Sequence, residues 1–104
     1  MPLPESIHLE IVTPEQRLVN EVVDEVVLPG SEGSLGVLPG HTPLLTTLGI
    51  GELKYRRGTT RRFLAIAWGF AEVLPDRVSV LAEIAERAEG IDRERARKAR
   101  DRAV

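Results

Sequence analysis

The chain has 104 residues, the size of one small domain, and no cysteine, which excludes disulfide staples, thiolate metal sites and a thiol nucleophile. Fourteen Lys and Arg against sixteen Asp and Glu give a formal charge of −2, so a strongly basic nucleic-acid binder is excluded as the default class. The opening "MPLPESIHLE" lacks the basic start and apolar middle of a secretory signal, and the longest apolar run, Phe63 to Leu74, is broken by Gly69 and Glu72, short of the ~20 residues a spanning helix needs.

Ile7 to Thr13 alternate, with Ile7, Leu9 and Ile11 on one face and His8 and Glu10 on the other, which predicts a half-buried strand carrying a solvated His8. In "LVNEVVDEVVLPG" the apolar pairs recur every four residues, as on a helix. The run is nevertheless dominated by valine, whose branched Cβ loses rotamer freedom in a helix, so it reads as one strand ending at Pro29-Gly30. Glu21, Asp24 and Glu25 then fall at the wet positions of that strand rather than forming a carboxylate pair.

The next stretch, "GSEGSLGVLPGHTPLL", has the look of a ligand loop and fails the tests for one. A phosphate-binding P-loop needs a lysine and a hydroxyl after its last glycine, and there is no lysine before Lys54. The G-x-G-x-x-G spacing of a dinucleotide turn is missing as well. His41 has Ser31, Ser34, Glu32 and Thr42 near it in sequence, but no nucleophile-elbow spacing, and two histidines in the whole chain make a poor metal set. The stretch reads as turn chemistry, with positive φ at Gly30, Gly33 and Gly36 and a second turn at Pro39-Gly40. No catalytic residue and no metal ligand is assigned.

"GELKYRRG" and "TRRFLAIAWGFAEVLP" form a predicted hairpin turning at Arg57-Gly58. Phe63, Ala65 and Ala67 share one face and Leu64, Ile66 and Trp68 the other, which predicts a strand covered on both sides. Gly69 within it points to a bulge or a close backbone approach. Pro75-Asp76 turns the chain into "RVSVLAE", with Val78 and Val80 facing opposite to Ser79 and Leu81. From about Ala85 the composition changes to Ala, Glu and Arg, which favour a helix, with Asp92 as N-cap and Ile91 stapling onto Ala96. Ala96, Ala99 and Ala103 give it only a thin apolar stripe. A short helix with so little to bury is marginal alone.

Taken in this order, "VVLPGSEGSLGVLPGHTPLLTTLGIGEL", "FLAIAWGFAEVLPDRVSVLAE" and "AERAEGIDRERA" resemble the epsilon subunits of F-type ATP synthases over nearly the whole chain. The resemblance implies a mostly β fold, an N-terminal β-sandwich of about ten strands over residues 1–86 followed by a short α-helical segment over 87–104. It implies a non-catalytic subunit of the central stalk that couples gamma to the c-ring during rotary ATP synthesis and, in full-length form, regulates ATP hydrolysis. Its partners are gamma and the c-ring, and the alpha/beta hexamer only where a full C-terminal helical domain is present. No nucleic acid is expected, and the membrane is met only through the complex, on the cytoplasmic face of a bacterial inner membrane ahead of a chloroplast thylakoid.

Residue by residue, the resemblance sets Thr13, His41 and Thr46 toward gamma, and Glu32, Gly33, Ser34 and Leu35 toward the c-ring. Ser34 departs from the family, where that position is often acidic, and its neutral hydroxyl should weaken steering more than packing. Ala67-Trp68-Gly69-Phe70 departs from the usual Ser-Gly-Gly run, so Trp68 must pack locally or against gamma. "IDRERA" matches the family's ATP-binding pattern, which implies Glu86, Ile91 and Asp92 around an adenine and Arg95 and Arg102 on the phosphates. No cofactor is required, and ATP is at most a regulatory ligand. The family's second helix would follow Val104, so a shortened form that couples without inhibiting, and binds ATP weakly, is expected. The competing class is a free-standing small-ligand or nucleic-acid module using the basic tail.

Overall fold

The computed structural model describes residues 4–88, and among these the chain forms eight β-strands. They are β1 (Ile7–Val12), β2 (Arg17–Val23), β3 (Glu25–Gly30), β4 (Gly33–Val37), β5 (Leu44–Leu48), β6 (Gly51–Arg57), β7 (Thr60–Leu74) and β8 (Arg77–Arg87). Ladders run in the order β2-β1-β8-β7-β5-β3-β4, with β6 pairing both β3 and β7. All pairings are antiparallel except β1 with β8, which is parallel. The result is a β-sandwich in which one layer is β2-β1-β8-β7-β5 and the other is β4-β3-β6-β7. The change of composition at Ala85 does not end the sheet, because Ala85, Glu86 and Arg87 continue β8 in its ladder with Ile66, Ala65 and Leu64; the rest of the expected helical segment, including Ile91, Asp92 and Ala96, lies outside the described residues.

The alternation read in β1 holds: Ile7, Leu9 and Ile11 are fully buried and His8 is exposed, its ring bonded to the Asn20 side chain across the β1–β2 ladder. Val78, Val80 and Ala82 of β8 supply the same core from the neighbouring strand. Leu28, Leu53, Leu64 and Ile66 close it from the second layer. Each of the Val, Leu and Ile side chains contributes roughly 1.5–3 kcal/mol through the apolar surface it removes from water.

"LVNEVVDEVVLPG" is two strands rather than one. Val19 and Val23 point into the core before Asp24, and Val26 and Leu28 after it, so the inward positions change from odd to even. Asp24 makes the break: its carboxylate accepts from the Gly58 amide at 2.6 Å and lies 3.7 Å from the Arg56 guanidinium, while its own amide donates to the Arg56 carbonyl at 2.7 Å. Glu25 meets Arg56 at 3.5 Å. These acids pin the β2–β3 corner to the β6–β7 hairpin, whose turn falls at Gly58 and Thr59, one residue beyond the expected Arg57-Gly58 because Arg57 still pairs with Thr60, with Gly58 at φ 62°.

The same change of parity explains why eight strands stand where about ten were expected. In β7 the inward residues are Leu64 and Ile66, then Ala71 and Val73; in β8 they are Val78, Val80 and Ala82, then Ala85. Both strands turn over at one level, at Ala67-Trp68 and Glu83-Ile84, and run on from one layer into the other. Trp68 performs the turnover by adopting φ 57°, the only non-glycine residue with positive φ among those described. Gly69 beside it is a close backbone approach: a Cβ there would sit 2.0 Å from the Leu81 carbonyl oxygen.

Two further expectations are corrected. The glycine-rich stretch is not one loop but holds β4 and leads into β5. Of its glycines, Gly33 (φ 131°) and Gly40 (φ 87°) take positive φ; Gly30 and Gly36 do not. Gly30 is required for space, since a Cβ would lie 2.7 Å from the Gly33 carbonyl oxygen, and nothing in the structure explains Gly36. Nor is β7 covered on both sides, because its outward face is open at Trp68 and Phe70.

Candidate functional site

Two surfaces stand out. The first grows from the turnover. Phe70 opposes Leu81 across the β7–β8 ladder, and Ala67 opposes Ile84. On the same outer face Phe70 opposes Thr47 of β5, and Leu81 opposes Val12 of β1. Trp68 is 54% exposed, Phe70 47%, Leu81 46% and Ile84 55%, so local packing, one of the two places open to Trp68, is not where it sits. Large apolar side chains left exposed together on paired strands are the usual mark of a protein contact.

The second surface is the tip of the β3–β4 hairpin. Ser31 and Glu32 form a two-residue turn between the paired Gly30 and Gly33. The tip is tied to β5 by the Ser31 amide donating to the Thr47 carbonyl at 3.1 Å, by a 2.6 Å bond between the Ser31 and Thr47 hydroxyls, and by the Gly49 amide donating to the Pro29 carbonyl at 3.0 Å. Between tip and β5 lies an open cleft of about 570 Å³, lined by Glu32, Gly33, Ser34, Leu35 and by Leu44 to Thr47. The residues assigned to the c-ring and Thr46, assigned to gamma, therefore share one cleft.

The other assigned positions are apart. Thr13, at the end of β1, is only 8% exposed, and its hydroxyl is held by the Gln16 amide at 3.3 Å within the β1–β2 turn. His41 lies beside the β7–β8 turn, where the Gly40 amide donates to the Pro75 carbonyl at 2.7 Å; its Nδ1–H donates to the Thr42 carbonyl at 2.6 Å. Glu86 is exposed near the end of β8, opposite Ala65. Ile91, Asp92, Arg95 and Arg102 lie outside the described residues, and no metal-binding group of three or more His, Cys, Asp or Glu side chains occurs among those described.

A part-buried polar cluster closes the sandwich near the end of β8. The Tyr55 hydroxyl donates to the Glu21 carboxylate at 2.8 Å, and Arg87 donates to the Leu18 carbonyl. Burial first, then the hydrogen bond to Glu21 and its charge, push the Tyr55 pKa from 10 up to about 12, against an opposite pull from Arg87. A folded-state pKa above the unfolded value means the stabilisation is complete below pH 10 and lost as pH rises through 12. Unfolding free energy is expected to fall by about 2–3 kcal/mol across that window, and the step to vanish in Tyr55→Phe. Denaturant unfolding checks it, alongside tyrosinate absorbance, since the chain has a single tyrosine. A wild-type chain whose tyrosine titrates near 10 would refute it.

With this geometry in place, the chain can be set beside known proteins. The model of the ATP synthase delta/epsilon chain β-sandwich domain matches residues 6–88. The chain belongs to the ATP synthase epsilon family. It is 58% identical over 99 residues to the ATP synthase epsilon chain of Syntrophobacter fumaroxidans and 52% identical over 99 to that of Koribacter versatilis. These alignments take in 95% of this chain and 74% and 70% of those relatives. A chain in the cryo-EM structure of the Euglena gracilis mitochondrial ATP synthase, an OSCP/F1/c-ring assembly, superposes with TM-score 0.83 at 29% identity, covering 99% of this chain and 66% of that one. A chain of the Tetrahymena thermophila mitochondrial ATP synthase central stalk and c-ring, at 15% identity and TM-score 0.70, shares the fold.

As an epsilon chain it is a non-catalytic stalk subunit and a peripheral part of a membrane-bound complex. Among the described residues no helix is long and apolar enough to cross a membrane. Sequence reading missed the band of Phe70, Leu81 and Ile84. The signal available was Phe70 and Leu81 at outward positions on either side of the Pro75-Asp76 turn, which a plain period-2 count of both strands would have paired.

Proposed function

We propose that this chain couples gamma to the c-ring by holding each on a different surface: gamma on the apolar band of β7 and β8, and the polar loops of the ring on the β3–β4 tip. The observation that carries the reading is the exposed band. An exposed tryptophan at φ 57° costs about 1–2 kcal/mol in the isolated chain, and a local cost with no local packing in return is characteristic of a functional contact. Thr13 follows the band at the end of β1, and Thr46 extends the contact toward the tip. Ser34 at that tip leaves Glu32 as its one carboxylate, so attraction to basic ring loops is weaker than in members with an acid there.

The coupling is mechanical. A sandwich whose long strands β7 and β8 run through both layers transmits torque between its two surfaces with little internal deformation, because shearing the layers would break both ladders together. In this reading the complex sits on the cytoplasmic face of a bacterial inner membrane. ATP has no part in the coupling and is at most a regulatory ligand, held by Glu86, Ile91, Asp92, Arg95 and Arg102; the support for that site is the sequence match alone.

Co-purification tests the proposal. Tagged chain is expected to recover gamma alone and the c-ring when gamma is present. Failure to recover gamma at micromolar concentration would sink it, and salt-sensitive recovery of nucleic acid instead would favour the ligand-module reading.

A further inference from the structure

The β6–β7 hairpin carries charge that the coupling role does not use. Lys54, Arg56, Arg57, Arg61 and Arg62 fall within nine positions that hold no acid. Elsewhere between residues 4 and 88 there are three basic side chains against twelve acidic ones, so the sandwich is electrically polarised, with its positive pole on this hairpin. Arg56 directly opposes Arg61 across the ladder, and Lys54 stands two positions along the same face from Arg56. Like charges opposed in this way are destabilising.

Only part of this charge is neutralised internally. Arg56 is engaged by Asp24 and Glu25 and donates to the Gly58 carbonyl at 3.1 Å. Lys54, Arg57 and Arg61 are exposed and have no acidic partner within ion-pair distance among the described residues. Residues 89–104 hold six basic against four acidic residues, so they bring no net negative charge to it. The hairpin is also placed apart from the β3–β4 tip. Arg56 pairs with Glu25 at the start of β3, whereas the tip follows Gly30 at its end, about 17 Å away at ~3.4 Å per residue.

We infer that the β6–β7 hairpin is a third docking point, for a short acidic segment of a partner protein, with Lys54, Arg57 and Arg61 as its contact residues. A nucleic acid fits poorly: Tyr55 is buried and Phe63 half-buried, so no aromatic ring is offered for base stacking, and a long polyanion would run on from the hairpin over a sandwich whose other charged side chains are mostly acidic. An anionic membrane meets the same repulsion, and residues 56–62 contain no apolar side chain to insert. A segment of a few carboxylates touches the hairpin alone. The polarity of the sandwich then steers it there, as complementary charge does in other complexes.

The probe is a short oligo-glutamate peptide titrated into the isotopically labelled full chain at low ionic strength. Amide shifts are expected to concentrate at residues 56–62, and the affinity to fall about tenfold on going to ~0.15 M salt. The double variant Arg57→Glu/Arg61→Glu is expected to lose at least about tenfold more, and the milder Arg57→Gln/Arg61→Gln to fall between, with thermal midpoints within a few degrees of wild type. Shifts confined to other residues, equal binding by the reversed variant, or Arg57- and Arg61-dependent binding to phosphatidylglycerol vesicles or RNA tighter than to the peptide would overturn the inference. Recovery of gamma is expected to survive both variants, so failure here leaves the coupling reading to its own test.

Discussion

Gly69→Ala is expected to lower stability by about 3 kcal/mol or more, the upper end for overpacking a well-packed site, and so to drop Tm by about 15 °C. The added methyl would lie 2.0 Å from the Leu81 carbonyl oxygen and 2.8 Å from the Ala82 Cα. Both obstacles are backbone of the paired strand, so no side-chain rotation relieves the contact, and the β7–β8 ladder must open where it passes between layers. Gly69 does not have positive φ, which makes the effect steric rather than conformational. Gly36→Ala supplies the control, because its Cβ would meet nothing within 4 Å, and a change of less than ~1 kcal/mol is expected there. Thermal melts of the two variants decide the matter. A Gly69→Ala midpoint close to that of wild type would show that the strands do not approach as described.

The second large effect concerns binding rather than folding. Phe70→Ser with Leu81→Ser removes two half-exposed apolar side chains that oppose one another across the ladder. Neither faces the core, and serine sets no charge against charge, so the thermal midpoint is expected to move by only a few degrees. Central apolar anchors of an interface commonly cost 2 kcal/mol or more each on truncation. The double variant is therefore expected to weaken the chain for gamma about a hundredfold or more, measured by titrating gamma onto immobilised chain. Binding within about threefold of wild type would remove the band from the interface and leave the cost of Trp68 without a functional account.

The alternation of β1, the Pro75-Asp76 and Gly58 turns, and the close approach at Gly69 were all legible in sequence. Each depends on a local rule: period-2 burial, the fixed φ of proline, the missing Cβ of glycine. Asp24 was legible only as a wet position. Its role as a strand break depends on Gly58 and Arg56, 34 and 32 residues further along, which no local pattern brings near. The glycine-rich stretch misled for a related reason. Its glycines suggested turns throughout, yet Gly33–Val37 is a strand because β3 offers it a complete antiparallel ladder.

By itself the sequence determined the class of the molecule: a cysteine-free, mostly β chain without a phosphate-loop motif, whose motif order resembles one family. The tertiary structure decided where contacts can be made. Residue alternation fixes which side chains share a face but not which face is the core, and in β7 a single residue at φ 57° exchanges the two, while β8 exchanges them at Glu83-Ile84 without a positive φ. Trp68 makes that exchange and brings the outward face of β7 and β8 into view, a consequence visible only once both strands are seen crossing from one layer to the other.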